Sequence, residues 1–256
     1  MNTNRLKEKL GRGETVLGAF CWLESVPAME IMGKLGLDFV IIDHEHFAGD
    51  EISTENLIRG CELYGLTPIV RSRGLERNAI LKNLDMGAAG IMLPVVKTAA
   101  EVETFVSYAK YRPLGDRGCA PGRVTCYGND ELFAGDIQKY FQWANENTLT
   151  IVQCETAECV DNIEEIVSVP GLDCIFVGPF DLSVSMGIPL QYSDPRFLEA
   201  TERVRAACRK AGKSCLTLGM SFEEARERLA VGYDGVVASD AAFLVAGTKE
   251  YLLAKQ

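Results

Sequence analysis

The chain has 256 residues, 47% hydrophobic and 24% charged, the composition of a soluble globular protein able to bury a sizeable core in one large or two small domains. A net charge of -10 without a Lys/Arg cluster argues against nucleic acid as a partner, and no apolar run is long enough to span a bilayer. The stretch Met1–Arg12 mixes charges and has no apolar signal core, so the cytoplasm is the expected location.

Strand-like runs fall at Thr15–Leu23, Phe39–Asp43, Thr67–Arg71, Gly90–Val96, Thr148–Glu155, Cys174–Gly178, Lys213–Leu218 and Gly235–Ala238. Amphipathic helical patterns alternate with them, at Pro27–Gly36, Glu55–Tyr64, Arg77–Met86, Ala99–Tyr111, Ala157–Val167, Arg196–Ala211, Phe222–Val231 and near Ala241–Ala254. Thr98 with Glu101 and Ser221 with Glu224 fit the capping box, while Asp194-Pro195 offers a cap followed by proline in the first turn. Glycines 36, 65, 87, 212 and 232 close helical runs just before strands begin. Strands such as Phe39-Val-Ile-Ile42 are continuously apolar, as expected when helices cover one face and a core fills the other.

Eight β/α units in this length predict a single-domain (β/α)8 TIM barrel over 1–256 with right-handed crossovers. A doubly wound open sheet would show a Gly-rich phosphate turn after the first strand, and Gly18-Ala19-Phe20 has none. The nine cysteines form no C-x-x-C pair and are odd in number, which predicts reduced thiols filling the core. One connection is disproportionately long, from Arg112 to Thr148, with a short helical piece near Asp136–Asn145; it suits a substrate-shaping or subunit-contact loop.

Active sites of such barrels lie where the strands end, at their C-terminal rim. Glu45 and His46 stand just past the second strand, Arg71 ends the third, Lys97 follows the fourth, Glu155 ends the fifth and Asp181 follows the sixth. Paired carboxylates on one rim suit a hard divalent cation, which takes oxygen ligands and leaves positions to water and substrate. Either acid alone would also serve as a helix cap, since acidic residues are favoured where helices start.

Six segments together carry a family resemblance: Phe39-Val-Ile-Ile-Asp43-His44-Glu45-His46, Pro68-Ile-Val-Arg71, Leu84-Asp85-Met-Gly87-Ala88, Pro113-Leu-Gly115-Asp-Arg117-Gly118, Val152-Gln153-Cys-Glu155 and Val177-Gly178-Pro179-Phe-Asp181-Leu182-Ser183. In order and spacing, over nearly the whole chain, the sequence resembles the HpcH/HpaI family of metal-dependent pyruvate aldolases. The resemblance implies a class II aldolase that splits a 2-keto-4-hydroxy acid into pyruvate and an aldehyde. It further implies a divalent cation (Mg2+, Mn2+ or Co2+) on Glu155 and Asp181, with Gln153 and the turn Gly178-Pro179-Phe180-Asp181 lining the substrate site. It also implies a homo-oligomer, hexamer or trimer, in which the last helix, about 241–256, packs on a neighbouring subunit.

Physical chemistry gives the remaining roles. Arg71 suits the negative charge that develops on the C2 oxygen of pyruvate, and backbone N–H groups of the Gly178–Asp181 turn suit its carboxylate. His46 is the expected acid/base at the C4 hydroxyl, with Asp43 fixing its tautomer and Glu45 holding water near the cation. Arg73 shares strand parity with Arg71 and is its rival, while His44 reads as structural. Against the family that the sequence resembles, Phe180 is bulkier than the small residue often found before the second ligand, and is expected to narrow the aldehyde pocket. Arg112, Arg117 and Arg123 are candidates for an acidic aldehyde or for surface ion pairs. Competing readings are an oxaloacetate-type decarboxylase using the same enolate, a Schiff-base aldolase on Lys97, and a noncatalytic keto-acid- or metal-binding barrel.

Overall fold

The protein is described from a computed structural model covering residues 3–47 and 49–255. Helix α1 (Arg5–Gly11) precedes strand β1 (Val16–Cys21), and α2 (Val26–Leu35), β2 (Phe39–Asp43), α3 (Glu51–Leu63), β3 (Thr67–Arg71), α4 (Arg77–Asp85), β4 (Gly90–Leu93) and α5 (Ala99–Ala109) follow. The long connection holds a 3-10 segment (Arg123–Gly128) and helices α6 (Glu131–Gly135) and α7 (Ile137–Asn147). Next come β5 (Leu149–Cys154), α8 (Ala157–Asp161), α9 (Ile163–Ser168), β6 (Cys174–Val177), α10 (Pro179–Ser185) and α11 (Pro195–Ala211). Strand β7 (Ser214–Leu218), α12 (Phe222–Ala230), β8 (Gly235–Ser239) and α13 (Asp240–Leu252) complete it.

All eight strands are parallel and close in sequence order, β1 pairing with both β2 and β8. The chain is therefore the single-domain (β/α)8 barrel that alternation predicts. Strand parity sorts the core into two layers. Val16, Phe20, Phe39, Ile41, Ile69, Met92, Leu149, Ile151, Phe176 and Leu216 fill the barrel interior, whereas Ala19, Val40, Ile42, Val70, Ile91, Val152 and Cys154 pack outward on the helices. Cys154 thus points into the helix layer, away from the site. All nine cysteines are free thiols, and only Cys119 and Cys126 are exposed.

Several elements differ from their sequence signals. Helix α1 is absent from the periodicity reading because it is short and charged; Asn4 caps it, and Leu6 enters the barrel interior from below. Helix α3 starts four residues ahead of its predicted Glu55 because Asp50 and Ser53 form a capping box. The predicted helix at Ala157–Val167 is two pieces joined at Asn162, and α10 begins at Pro179, inside what reads as a turn. The strand expected to run to Val96 stops at Leu93, since Val95 adopts φ 54°, a left-handed conformation that a β-branched residue rarely takes.

Along α13 only Asp240 is buried. Phe243, Leu244, Val245, Tyr251 and Leu252 are exposed, as is Leu17 on the outer face of β1. Among the described residues no helix is long and apolar enough to cross a membrane.

Candidate active site

Interior-facing parity carries each strand's last residues to the mouth of the barrel. Asp43 continues Phe39 and Ile41, Arg71 continues Ile69, and Gln153 and Glu155 continue Leu149 and Ile151. Asp43 and Arg71 are register partners. Their side chains form a buried bidentate pair, Nε to Oδ1 at 2.9 Å and Nη2 to Oδ2. The same guanidinium gives Nη1 to Gln153 Oε1 at 3.3 Å, lies 2.9 Å from Glu45 Oε2, and sits 4.8 Å above the ring of Phe20. It is thus held by four groups at fixed geometry, which suits a donor to a developing oxyanion.

Glu155 is buried. Its Oε1 accepts the strained Val95 amide at 2.6 Å, and Oε2 accepts from Gln153 Nε2. Burial pushes its carboxyl up to about 7, with Glu45 and Asp181 adding to the rise and Arg71 opposing it. Burial likewise raises Glu45. Its Oε2 meets Arg71 without hydrogen-bond alignment and has no hydrogen-bond partner among the described residues. Asp181, in the first turn of α10, is exposed. A carboxylate surplus in which one buried oxygen accepts no hydrogen bond is a donor set that fits a hard cation. Among the described residues no three His, Cys, Asp or Glu side chains make a complete metal cage, so such a cation would draw further oxygens from water and substrate.

Gly178 lets this corner close. A β-carbon there would sit 3.0 Å from both Gln153 Nε2 and Glu155 Oε2. Its own amide is used by the Cys154 carbonyl, and Pro179 has none, so the first-turn amides of α10 facing outward belong to Phe180 and Asp181. Phe180 is half exposed and stands edge-on to Tyr192, ring centroids 6.2 Å apart.

The Asp43 carboxylate does not hold the His46 ring, contrary to the expectation from their spacing. Its Oδ1 accepts the main-chain N–H groups of Glu45 (3.0 Å) and His46 (3.4 Å), and the rest of its capacity goes to Arg71 and to the Trp22 indole at 3.2 Å. A carboxylate that closes its own turn while pairing a guanidinium has no oxygen facing that imidazole. The His46 ring is exposed, with Nε2 3.8 Å from Glu45 Oε2. His44 is the structural histidine, buried with Nε2 2.6 Å from Thr54 Oγ1 and its pKa lowered by burial and by Arg73.

Other candidates stand apart. Arg73 is exposed and reaches the Gly49 carbonyl. Lys97 is exposed, 3.4 Å from Glu158. Arg117 pairs with Asp85 at 3.0 Å and lies over Tyr111, Arg123 pairs with Glu62, and Arg112 pairs with Asp116. These three sit on the connection that enters β5 from below, where Arg117 and Arg123 line a cavity of about 670 Å3 together with Asn4, Pro68, Tyr140 and Asn147. That cavity lies at the opposite end of the barrel from Arg71.

The HpcH/HpaI aldolase/citrate lyase family matches residues 17–241, almost the whole barrel. The chain belongs to this family. Among its curated relatives, a 2-keto-3-deoxy-L-rhamnonate aldolase of Escherichia coli O17:K52:H18 is 32% identical, covering 93% of this chain and 90% of that one. An HpcH/HpaI family protein from Burkholderia cenocepacia J2315 superposes with TM-score 0.90 at 31% identity, over 98% of this chain and 99% of that one. The citrate synthase SbnG gives 0.86 at 31%, over 98% and 96%. The protein is accordingly a carbon–carbon lyase, an aldolase.

Two residues of the aldolase's site escape sequence reasoning. Trp22 lies past β1 with the inward parity of Phe20, a signal that was available. Val95 offers none, because nothing in a Pro-Val-Val run announces a positive φ.

Proposed function

We propose that this aldolase cleaves a 2-keto-4-hydroxy acid into pyruvate and an aldehyde, reversibly, with a 2-keto-3-deoxy sugar acid the first substrate to assay. The observation that carries this reading is the buried Arg71 guanidinium, fixed by Asp43, facing a corner where Glu155 and Asp181 leave negative charge uncompensated. Glu155 and Asp181 would hold a divalent cation (Mg2+, Mn2+ or Co2+), which when bound supplies Lewis-acid stabilisation of the pyruvate oxygens.

The chain's own groups supply the rest. Arg71 donates to the C2 oxygen as it gains negative charge, and Gln153 fixes both Arg71 and Glu155. The Phe180 and Asp181 amides at the Gly178-Pro179 turn bind the substrate carboxylate. His46 accepts the C4 hydroxyl proton as the C3–C4 bond breaks; the bond's electrons pass to the C2 oxygen, the aldehyde departs, and protonation at C3 yields pyruvate. Glu45 orders water beside the cation, and Phe180 forms a wall of the aldehyde pocket. A homo-oligomer, trimer or hexamer, would cover the exposed apolar residues of α13, with that helix on a neighbouring subunit.

Turnover with 2-keto-3-deoxy-L-rhamnonate should be abolished by EDTA and restored by manganese, and pyruvate methyl protons should exchange with deuterated water under the same conditions. Covalent trapping of Lys97 by borohydride and pyruvate is the result that sinks this mechanism.

A further inference from the structure

At the seam where the barrel closes, β1 outruns β8. The last register pair is Phe20 with Ser239, so the amides of Trp22 and Leu23 have no strand carbonyl opposite them. The Asp240 carboxylate stands in their place. Its Oδ1 accepts Trp22 N and its Oδ2 accepts Leu23 N, both at 3.0 Å. A third bond, from Ala241 N to Oδ1 at 2.7 Å, anchors the carboxylate to its own helix. Asp240 is 5% exposed, and the Ser239 hydroxyl capping Ala242 N fixes the start of α13 beside it.

What Asp240 holds is the backbone of Trp22, whose ring is stacked between Phe20 (5.9 Å) and Phe47 (5.3 Å). The indole Nε1 donates to Asp43 Oδ2, the oxygen that also receives Arg71 Nη2. Phe20 in turn lies under the Arg71 guanidinium. From the β1 side, then, the orientation of the Asp43–Arg71 pair depends on where Trp22 stands. Trp22 stands where a carboxylate 218 positions later in the chain places it.

We propose that Asp240 is a positioning residue for the aldol reaction: through Trp22 it sets the Asp43 carboxylate and with it the Arg71 guanidinium that meets the substrate's C2 oxygen. This rests on the role given to Arg71 above. Asp240 touches no substrate itself, so its effect must pass through the indole.

The test joins emission with a double-mutant cycle, and the emission is read in the full-length protein carrying Trp143→Phe, which leaves Trp22 as the reporting tryptophan. Asp240→Asn, which keeps one acceptor oxygen, and Asp240→Ala, which keeps none, should lower kcat/KM for the keto acid about tenfold or more, the alanine variant further. Both should shift Trp22 emission to the red and increase its quenching by acrylamide. A parallel set in the Trp143-containing protein supplies the cycle: Trp22→Phe should lower kcat/KM similarly, and adding Asp240→Asn to it should cost little more. Losses that multiply in the double variant, or emission that does not move, overturn the proposal. Arg71→Lys separates the two claims: unchanged turnover there refutes the role of Arg71, while the emission of the Asp240 variants still reports whether Asp240 holds Trp22.

Discussion

Two carboxylates at opposite ends of the barrel, Asp173 half-buried and Glu155 buried, have their pKa values moved in opposite directions. At the lower end Asp173 pays its desolvation in full view of two cations: Lys7 at 2.9 Å and Lys110 at 3.6 Å, with Thr150 donating through N and Oγ1, hold its pKa below the ordinary value despite burial. At the upper end Glu155 is buried beside Glu45 and Asp181 with one guanidinium nearby, and its carboxyl rises to about 7. Desolvation raises both; the difference is the charge that surrounds each. At the lower end two lysines face the carboxylate, whereas at the upper end acidic groups outnumber the guanidinium beside them. The strands keep these two environments apart by their full length.

The largest effect that can sharpen this contrast is on turnover. His46→Ala should lower aldol cleavage about 10^2- to 10^4-fold, the range for removing a general acid/base. Because the ring is exposed, the urea midpoint should stay where it is; turnover equal to wild type would remove His46 from the mechanism.

Next comes stability, measured by urea unfolding at each mouth. Arg71→Met strands the buried Asp43 carboxylate without its cation and should cost ~3–5 kcal/mol. Asp173→Asn should cost less, ~1–3 kcal/mol, because Lys7 reaches solvent and Lys110 can shed its proton. Equal losses would mean that the two ends do not differ as described.

The last effect is a pH dependence. Burial pulls Lys110 from 10.5 down to about 7, with Asp173 opposing. Between those values the unfolded chain binds the extra proton, so stability from this group rises with pH from about 7 to 10.5, and below 7 both states are protonated. In the difference curve, Lys110→Met should lose that rise; parallel curves for the two proteins would contradict the assignment.

Much of the fold and part of the site were legible in the chain. Alternation of apolar runs with helical periods gave eight units, and the ends of those strands put Arg71 and Glu155 on the rim before any contact was known. Thr98 with Glu101 was readable as a full capping box. Less legible were α1, too short for its period to register, and α10, whose proline looked like a turn. The partner of Asp43 was misjudged because sequence proximity favoured His46, while the register of β2 on β3 brought Arg71 to the carboxylate instead.

The sequence by itself determined the strand order, the inward faces and the residue types at the rim, because these follow from periodicities of two and 3.6 and from chemistry local to a few residues. Only the tertiary structure decided which of those groups share a proton, a charge or a hydrogen bond. Asp43 with Arg71, Lys110 with Asp173, and Asp240 with Trp22 join positions far apart in the chain. Such pairings depend on register and closure of the whole barrel, and no local pattern encodes them.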